Sequence, residues 1–201
     1  MRNTLNILFV ALRVTLVTLL GAGILYPLGM TGLCELLFPS KAHGSLVTDS
    51  KGRVVGSALV GQRFRSPAYF SPRPSAAGEL GYDAAASSGS NLGPTSKKLR
   101  DRVQQELTHL RKDNKDAPGP IPADLVTASA SGLDPHLSPA AALWQVPRVA
   151  QARGISPERI QNVVLDHIEG RELGFLGEPR VNVLLLNLAL DQQFGRPGPA
   201  S

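Results

Sequence analysis

VTLVTLLGAGILYPLGMTGLC, residues Val14 to Cys34, is a run of 21 residues without a charged side chain near the amino terminus. At about 1.5 Å per residue a helix of this length spans roughly 30 Å, the thickness of a bilayer's hydrocarbon core. A helix satisfies its own backbone hydrogen bonds in lipid, so Pro27 and the glycines at 21, 23, 29 and 32 do not exclude it. No polar face interrupts Val14 to Met30, which argues against a buried helix of a soluble protein. The run therefore predicts one transmembrane helix over 14–34, with apolar flanks that carry it out to about 8 and 37. Ala42-His43-Gly44 has the small-x-small form of a signal cleavage site. However, signal cores span about 7 to 15 residues, and bulky Leu36, Leu37 and Phe38 precede this one.

Arg2 and Arg13 flank the early side of the span. The positive-inside rule then puts residues 1–13 in the cytoplasm and residues 35–194 outside, with Lys41, Lys51 and Arg53 as counter-evidence. Arg13 either snorkels to the inner interface or pairs with an acid on a neighbouring subunit. Small residues such as Gly21 and Gly29 let another helix's backbone approach closely, so both are candidate contacts with a partner.

The remainder of the chain holds 19 Lys and Arg against 16 Asp and Glu. That is too balanced for a nucleic-acid footprint, and basic residues alternate with acids from Arg100 to Asp116 as on a solvated helix. The single cysteine, Cys34, allows neither an internal disulfide nor a cysteine metal cluster. His43, His109, His136 and His167 have no metal-ligand spacing, and no metal is expected. No Gly-x-x-x-x-Gly-Lys-Ser/Thr phosphate cradle occurs either. Leu59-Val60-Gly61-Gln62 is too short a likeness to the Gly-Gln ending of the ABC-transporter signature to carry ATP.

The outer region reads as a mixed α/β (α+β) domain. Ser45 to Val47 and Val54 to Val60 are β-prone runs around a cluster of turn formers, which makes a hairpin. The segment 61–93 holds three prolines and the run Ser87-Ser88-Gly89-Ser90-Asn91. It forms a loop of about 30 residues, far longer than an ordinary connection and so either functional or disordered. Phe64, Tyr69, Phe70 and Tyr82 argue for order. Thr95 or Ser96 caps a helix to about His109. Ser138-Pro139 starts another, through about Ala150 and bent at Pro147. Ser156-Pro157 starts a third, with His167 and Ile168 on its apolar face before Gly170. The closing run Val181 to Phe194 is mostly helical by pattern, with a buried strand as the alternative over 181–186. The tail, 195–201, is rich in Pro and Gly and reads as disordered.

Ser129, Ser131, Asp134 and His136 hold the residue types of a hydrolase triad. A membrane-anchored extracytoplasmic hydrolase using Ser131 and His136 is therefore the alternative to a binding role. A triad is defined by geometry, and no Gly-x-Ser-x-Gly elbow accompanies these residues. Local turn architecture explains them as well, since Asp134 precedes Pro135 and serines bond to nearby backbone.

Taken in order, Tyr26-Pro27-Leu28, the segments 56–62 with Phe64, 69–76 and 87–94, then 127–136, 145–150, Arg180-Val181-Asn182-Val183 and Leu186-Asn187 resemble one family. It is the C subunit of the Kdp potassium-transporting P-type ATPase. Ala130 departs from the glycine expected there. The resemblance implies a non-catalytic accessory subunit of a bacterial plasma (inner) membrane complex that imports potassium with high affinity at the expense of ATP. Its implied partners are a channel-like potassium-binding subunit, a P-type ATPase catalytic subunit and a small single-span subunit. An Asp-Lys-Thr-Gly phosphorylation motif is absent from the sequence. The family is also described as a catalytic chaperone that raises the ATP affinity of the hydrolysing subunit. No catalytic or cofactor-binding residue is expected, and ATP is met through the catalytic partner or only weakly. The candidate interaction residues are Arg13, Gly21, Gly29, Tyr69, Phe70, Arg73, Ser90, Asn91, Ser131, Asp134, His136, Arg148 and Asn182.

Overall fold

The computed structural model describes residues 2–49 and 51–197. They divide into two units with the boundary after Leu46. The first is dominated by a continuous helical rod: α1 (Arg2–Thr18), a π-helical segment (Leu19–Leu25) and α2 (Tyr26–Leu37), followed by the short α3 (Pro39–Ala42). From Asn3 to Leu37 the rod is 35 residues long, and its apolar side chains are exposed along its whole length. It is long and apolar enough to cross a membrane. The widened π turn has a local cause. Pro27 lacks an N–H and its ring crowds the carbonyl four residues earlier, and the Tyr26 N–H reaches back to the Gly21 carbonyl instead.

The second unit mixes helices and short strands, as the sequence pattern predicts. Strands β1 (Leu46–Thr48) and β2 (Val54–Ser57) form a two-stranded sheet. Asp49 closes their turn, accepting from the backbone N–H groups of Lys51 and Arg53 and from the Arg53 guanidinium. These bonds, the one from the Arg53 N–H above all, hold the Asp49 carboxyl down at about 2. β2 is shorter than the apolar run Val54 to Val60, because the chain turns at once, with the Val60 N–H on the Ser57 carbonyl.

After the long loop, Ser96 caps α4 (Lys97–Asp113), one turn longer than its pattern. Only partly buried residues line its apolar side, with Leu110 against the core. The second sheet is antiparallel, with β5 (Arg180–Asn182) between β3 (His136–Leu137) and β4 (Ile168–Glu169). His136 faces Asn182 across the ladder, and Val181 faces both Leu137 and Ile168.

Three helices follow, α5 (Pro139–Arg153), α6 (Pro157–Asp166) and α7 (Val183–Phe194): α5 and α7 pack on the sheet, and α6 packs against both of them. Ser138 caps α5 at the Ala141 N–H, and Gly154, left-handed at φ 64°, ends it while the Ile155 N–H returns to the Ala150 carbonyl. The third helix stops four residues before Gly170. His167 turns its ring back onto the Val163 carbonyl, and Ile168 leaves the helix to pair in the sheet. The closing run resolves into both of its alternatives. Asn182 ends β5, and its side chain caps α7 at the Leu185 N–H. The core lies among α5, α6, α7 and the sheet, around Val149, Ile160, Val164, Val181, Leu186 and Leu190, all fully buried. Arg196 reaches Asp49 and Asp191, while 198–201 of the Pro/Gly-rich tail lie outside the described residues.

Candidate functional site

The segment 67–71 carries no regular secondary structure, yet each of its five consecutive carbonyls is held by a side chain. Arg148 donates to Pro67 at 2.6 Å and to Tyr69 at 3.0 Å, and Arg153 donates to Ala68 at 2.7 Å. Asn187, on α7, brackets Phe70. Its Oδ1 accepts from the Phe70 N–H at 2.8 Å and its Nδ2 donates to the Phe70 carbonyl at 3.0 Å. Gln145, on α5, does the same for Ser71, at 2.8 and 3.0 Å. Each primary amide thus plays the part of a neighbouring strand's peptide group. The Phe70 ring, fully buried, plugs into the core below.

The Tyr69 hydroxyl donates to Asp191 at 2.9 Å, Asp191 pairs with Arg153 at 2.9 Å, and the Arg153 guanidinium lies over the Tyr69 ring. Burial first, then the bond to Asp191, raises the Tyr69 pKa. Arg148 has only neutral acceptors, two carbonyls and the Gln145 amide, and its burial lowers its pKa.

A second group of loops is laced together around Asp134. Its carboxylate accepts from the His136 N–H at 3.0 Å, lies 3.5 Å from His136 Nδ1 and pairs with Arg73 at 3.1 Å. The His136 side chain leads the contacts that lower the Asp134 pKa, ahead of the His136 N–H and Arg73. Ser75 Oγ donates to the Gly132 carbonyl at 2.6 Å, Ser87 Oγ to the Ser131 carbonyl, and Ser88 Oγ to the Ala76 carbonyl. The Tyr82 hydroxyl donates to the Arg73 carbonyl. Gly61, Gly89 and Gly132 sit where backbones meet. A Cβ on Gly61 would lie 2.6 Å from the Asp134 carbonyl oxygen, and one on Gly89 2.9 Å from that of Ala130. Gly132 is left-handed at φ 67°. These glycines allow loop to approach loop.

The candidate residues therefore fall into groups. Tyr69, Phe70 and Arg148 belong to the clamped segment. Arg73, Ser131, Asp134 and His136 belong to the laced loops, beside Asn182, whose amide donates to the Ala58 carbonyl at 2.8 Å. Ser90 is half-buried and Asn91 exposed at φ 50°. Arg13, Gly21 and Gly29 lie on the rod with exposed surfaces, and a Cβ on either glycine would meet nothing within 4 Å. Ser131 Oγ accepts from the Leu133 N–H and Ser129 Oγ from the Gly132 N–H. Among the described residues no hydrogen bond joins either serine to His136. Both serines shape a turn.

Sequence reasoning did not single out Gln145, Asn187, Arg153 or Asp191 as site residues. A signal for the first two existed: one amide each within the apolar runs of α5 and α7, where a buried polar group requires a partner. Arg153 and Asp191 gave none, since each stands at a helix end where charge is ordinary.

Beside the clamped segment lies a cleft of about 720 Å³ lined by Arg63, Arg65, Arg73 and Arg148, with Glu106 and Asp113 from α4. Three of these guanidinium groups are already engaged, Arg148 on two carbonyls and the Gln145 amide, Arg73 on Asp134 and Arg63 on the Leu80 carbonyl. Among the described residues no three of His, Cys, Asp and Glu gather as a metal set would require.

One membrane-length apolar helix is thus followed by a small mixed α/β domain whose loops are held by side chains. Residues 8–192 match the family described as KdpC: K+-transporting ATPase, c chain. A protein of Myxococcus xanthus named potassium-transporting ATPase KdpC subunit is 65% identical over 185 residues, covering 92% of this chain and 87% of its own. A Koribacter versatilis protein of the same name is 50% identical over 96% of this chain and 97% of its own, and one of Geobacter sulfurreducens is 53% identical over 90% and 94%. The chain belongs to the family of the c chain of potassium-transporting ATPases.

Proposed function

We propose that this chain is a non-catalytic accessory subunit that holds a high-affinity, ATP-driven potassium uptake complex together. Its helix packs among the membrane helices of the other subunits, and its α/β domain docks on their extracytoplasmic face. The observation that carries this reading is the use made of the segment 67–71, whose last three residues open the motif 69–76. The segment's backbone is clamped by Arg148, Arg153, Asn187 and Gln145, and this builds a rigid surface. The amino terminus is cytoplasmic, which Arg2 and Arg13 before the span support, and the membrane is the bacterial inner membrane. The partners are the channel-like potassium-binding subunit, the phosphorylated ATPase subunit and a small single-span subunit.

ATP acts through the catalytic partner, whose affinity for it this chain raises by stabilising the assembled form. In support, the absence of a side chain at Gly61 is explained by the Asp134 carbonyl packed against it, so Leu59 to Gln62 needs no nucleotide to account for it. The test replaces residues 14–34 by an unrelated apolar helix in one variant and deletes 41–201 in another. Both should lose co-purification with the ATPase subunits and growth at micromolar potassium. A deletion that leaves uptake unchanged would refute the proposal.

A further inference from the structure

The connection from β4 to β5, residues 170–179, is an ordered hairpin that presents apolar side chains outward. Leu173 is 82% exposed, Phe175 69% and Leu176 49%. The hairpin's own bonds hold this shape. Glu172 and Leu176 exchange both backbone hydrogen bonds at 2.9 Å, and the Gly174 N–H closes on the Arg171 carbonyl at 3.0 Å. Leu173 stands at φ 54°, a conformation that a bulky residue keeps only where its surroundings impose it. Ion pairs brace the base, with Arg171 on Glu178 at 2.7 Å and Arg180 on Glu169 at 2.9 Å and Glu172 at 3.2 Å. A solvated loop needs neither the brace nor the apolar tip.

We infer that this hairpin is a docking prong, with Leu173 and Phe175 seating in an apolar socket on a partner subunit of the potassium ATPase. The inference rests on the subunit reading above. Two observations select that occupant. With Leu173 82%, Phe175 69% and Leu176 49% exposed, the tip can bury about 400–500 Å² on its own side, below the roughly 800 Å² per partner of a standard stable interface. Such a contact holds only when something else keeps its target close, as a shared membrane assembly does by raising the effective concentration. The same shortfall argues against a dimer formed tip to tip. Charge argues against a lipid surface. Residues 168–180 carry three acids and two bases, with both arginines already paired, so the prong offers an anionic bilayer no free cation.

The test uses the full-length chain co-expressed with the other chains of its ATPase. Leu173→Ser/Phe175→Ser, which leaves the ion pairs in place, should reduce the chain retained on the purified complex at least tenfold on dilution. Leu80→Ser, at another exposed leucine, should not. A photoreactive benzophenone residue at position 175 should cross-link to a partner subunit. An unchanged melting profile of the isolated double variant would confirm that folding is intact and that the loss is one of docking. Cross-links to lipid alone, to a second copy alone, or full retention of the double variant would overturn the prong. A wild-type chain that fails to co-purify would overturn the subunit reading and the prong together, whereas an assembled wild type with an indifferent double variant overturns the prong alone.

Discussion

Replacing Asn187 by leucine strips the Phe70 backbone of both its partners while leaving a side chain of similar size. The Phe70 N–H and carbonyl are then buried with nothing to bond to, since Asn187 supplies both bonds and is itself 2% exposed. An unsatisfied buried donor or acceptor costs about 1–3 kcal/mol. Two of them, offset in part by the apolar gain of leucine, put the net loss at about 2–4 kcal/mol. Domains of this size lose about 2–4 °C in Tm per kcal/mol, so the midpoint should fall by roughly 5–15 °C. The assay uses a probe the chain already carries. Trp144 is the sole tryptophan and is 4% exposed, so its emission in the full-length chain, held in detergent, follows core exposure on heating. A midpoint within about 1 °C of wild type would show that the clamp is incidental to the fold and would remove the basis for a rigid docking surface.

At Gly61 the backbone packing predicts that alanine, whose Cβ would lie 2.6 Å from the Asp134 carbonyl oxygen, destabilises by about 1–3 kcal/mol in urea. Gly170→Ala, with open space around it, should stay within about 0.5 kcal/mol. Equal effects at the two positions would refute the role given to close packing. For pH, Asp49 sits at about 2 in the folded chain against an ordinary value of 3.8. A depressed carboxyl contributes stability that is complete above its unfolded value and is lost as pH falls through the folded one. Wild type should therefore lose more of its thermal midpoint between about pH 4 and pH 2 than Asp49→Asn does, and parallel profiles would contradict this.

The membrane helix and the three core helices were legible because periodicity and capping residues are local signals. Ser138 bonds the third N–H of α5, and Ser96 does the same for α4, each at the cap its sequence marks. The features that escaped were decided at long range. Ile168 continues an apolar face as well as α6 itself does, and only pairing with Val181 takes it out of the helix. The loop 61–93 signalled its order through its aromatics but not the source of that order, which is Gln145 and Asn187, 74 and 117 residues away. Asp134 and His136 were legible as residue types. Whether they faced a serine or each other depended on geometry that spacing does not carry.

The π turn at Leu19–Leu25 has a consequence for any attempt to swap the span. Each residue that a wide turn inserts rotates the rest of the helix by about 100° relative to an unbroken α-helix. Gly29 and Gly32 thus face a different azimuth from the one that counting in steps of 3.6 from Thr18 would give. A substitute helix matched in length and apolarity would still be out of phase beyond its midpoint. A faithful control must copy the irregular turn along with the composition.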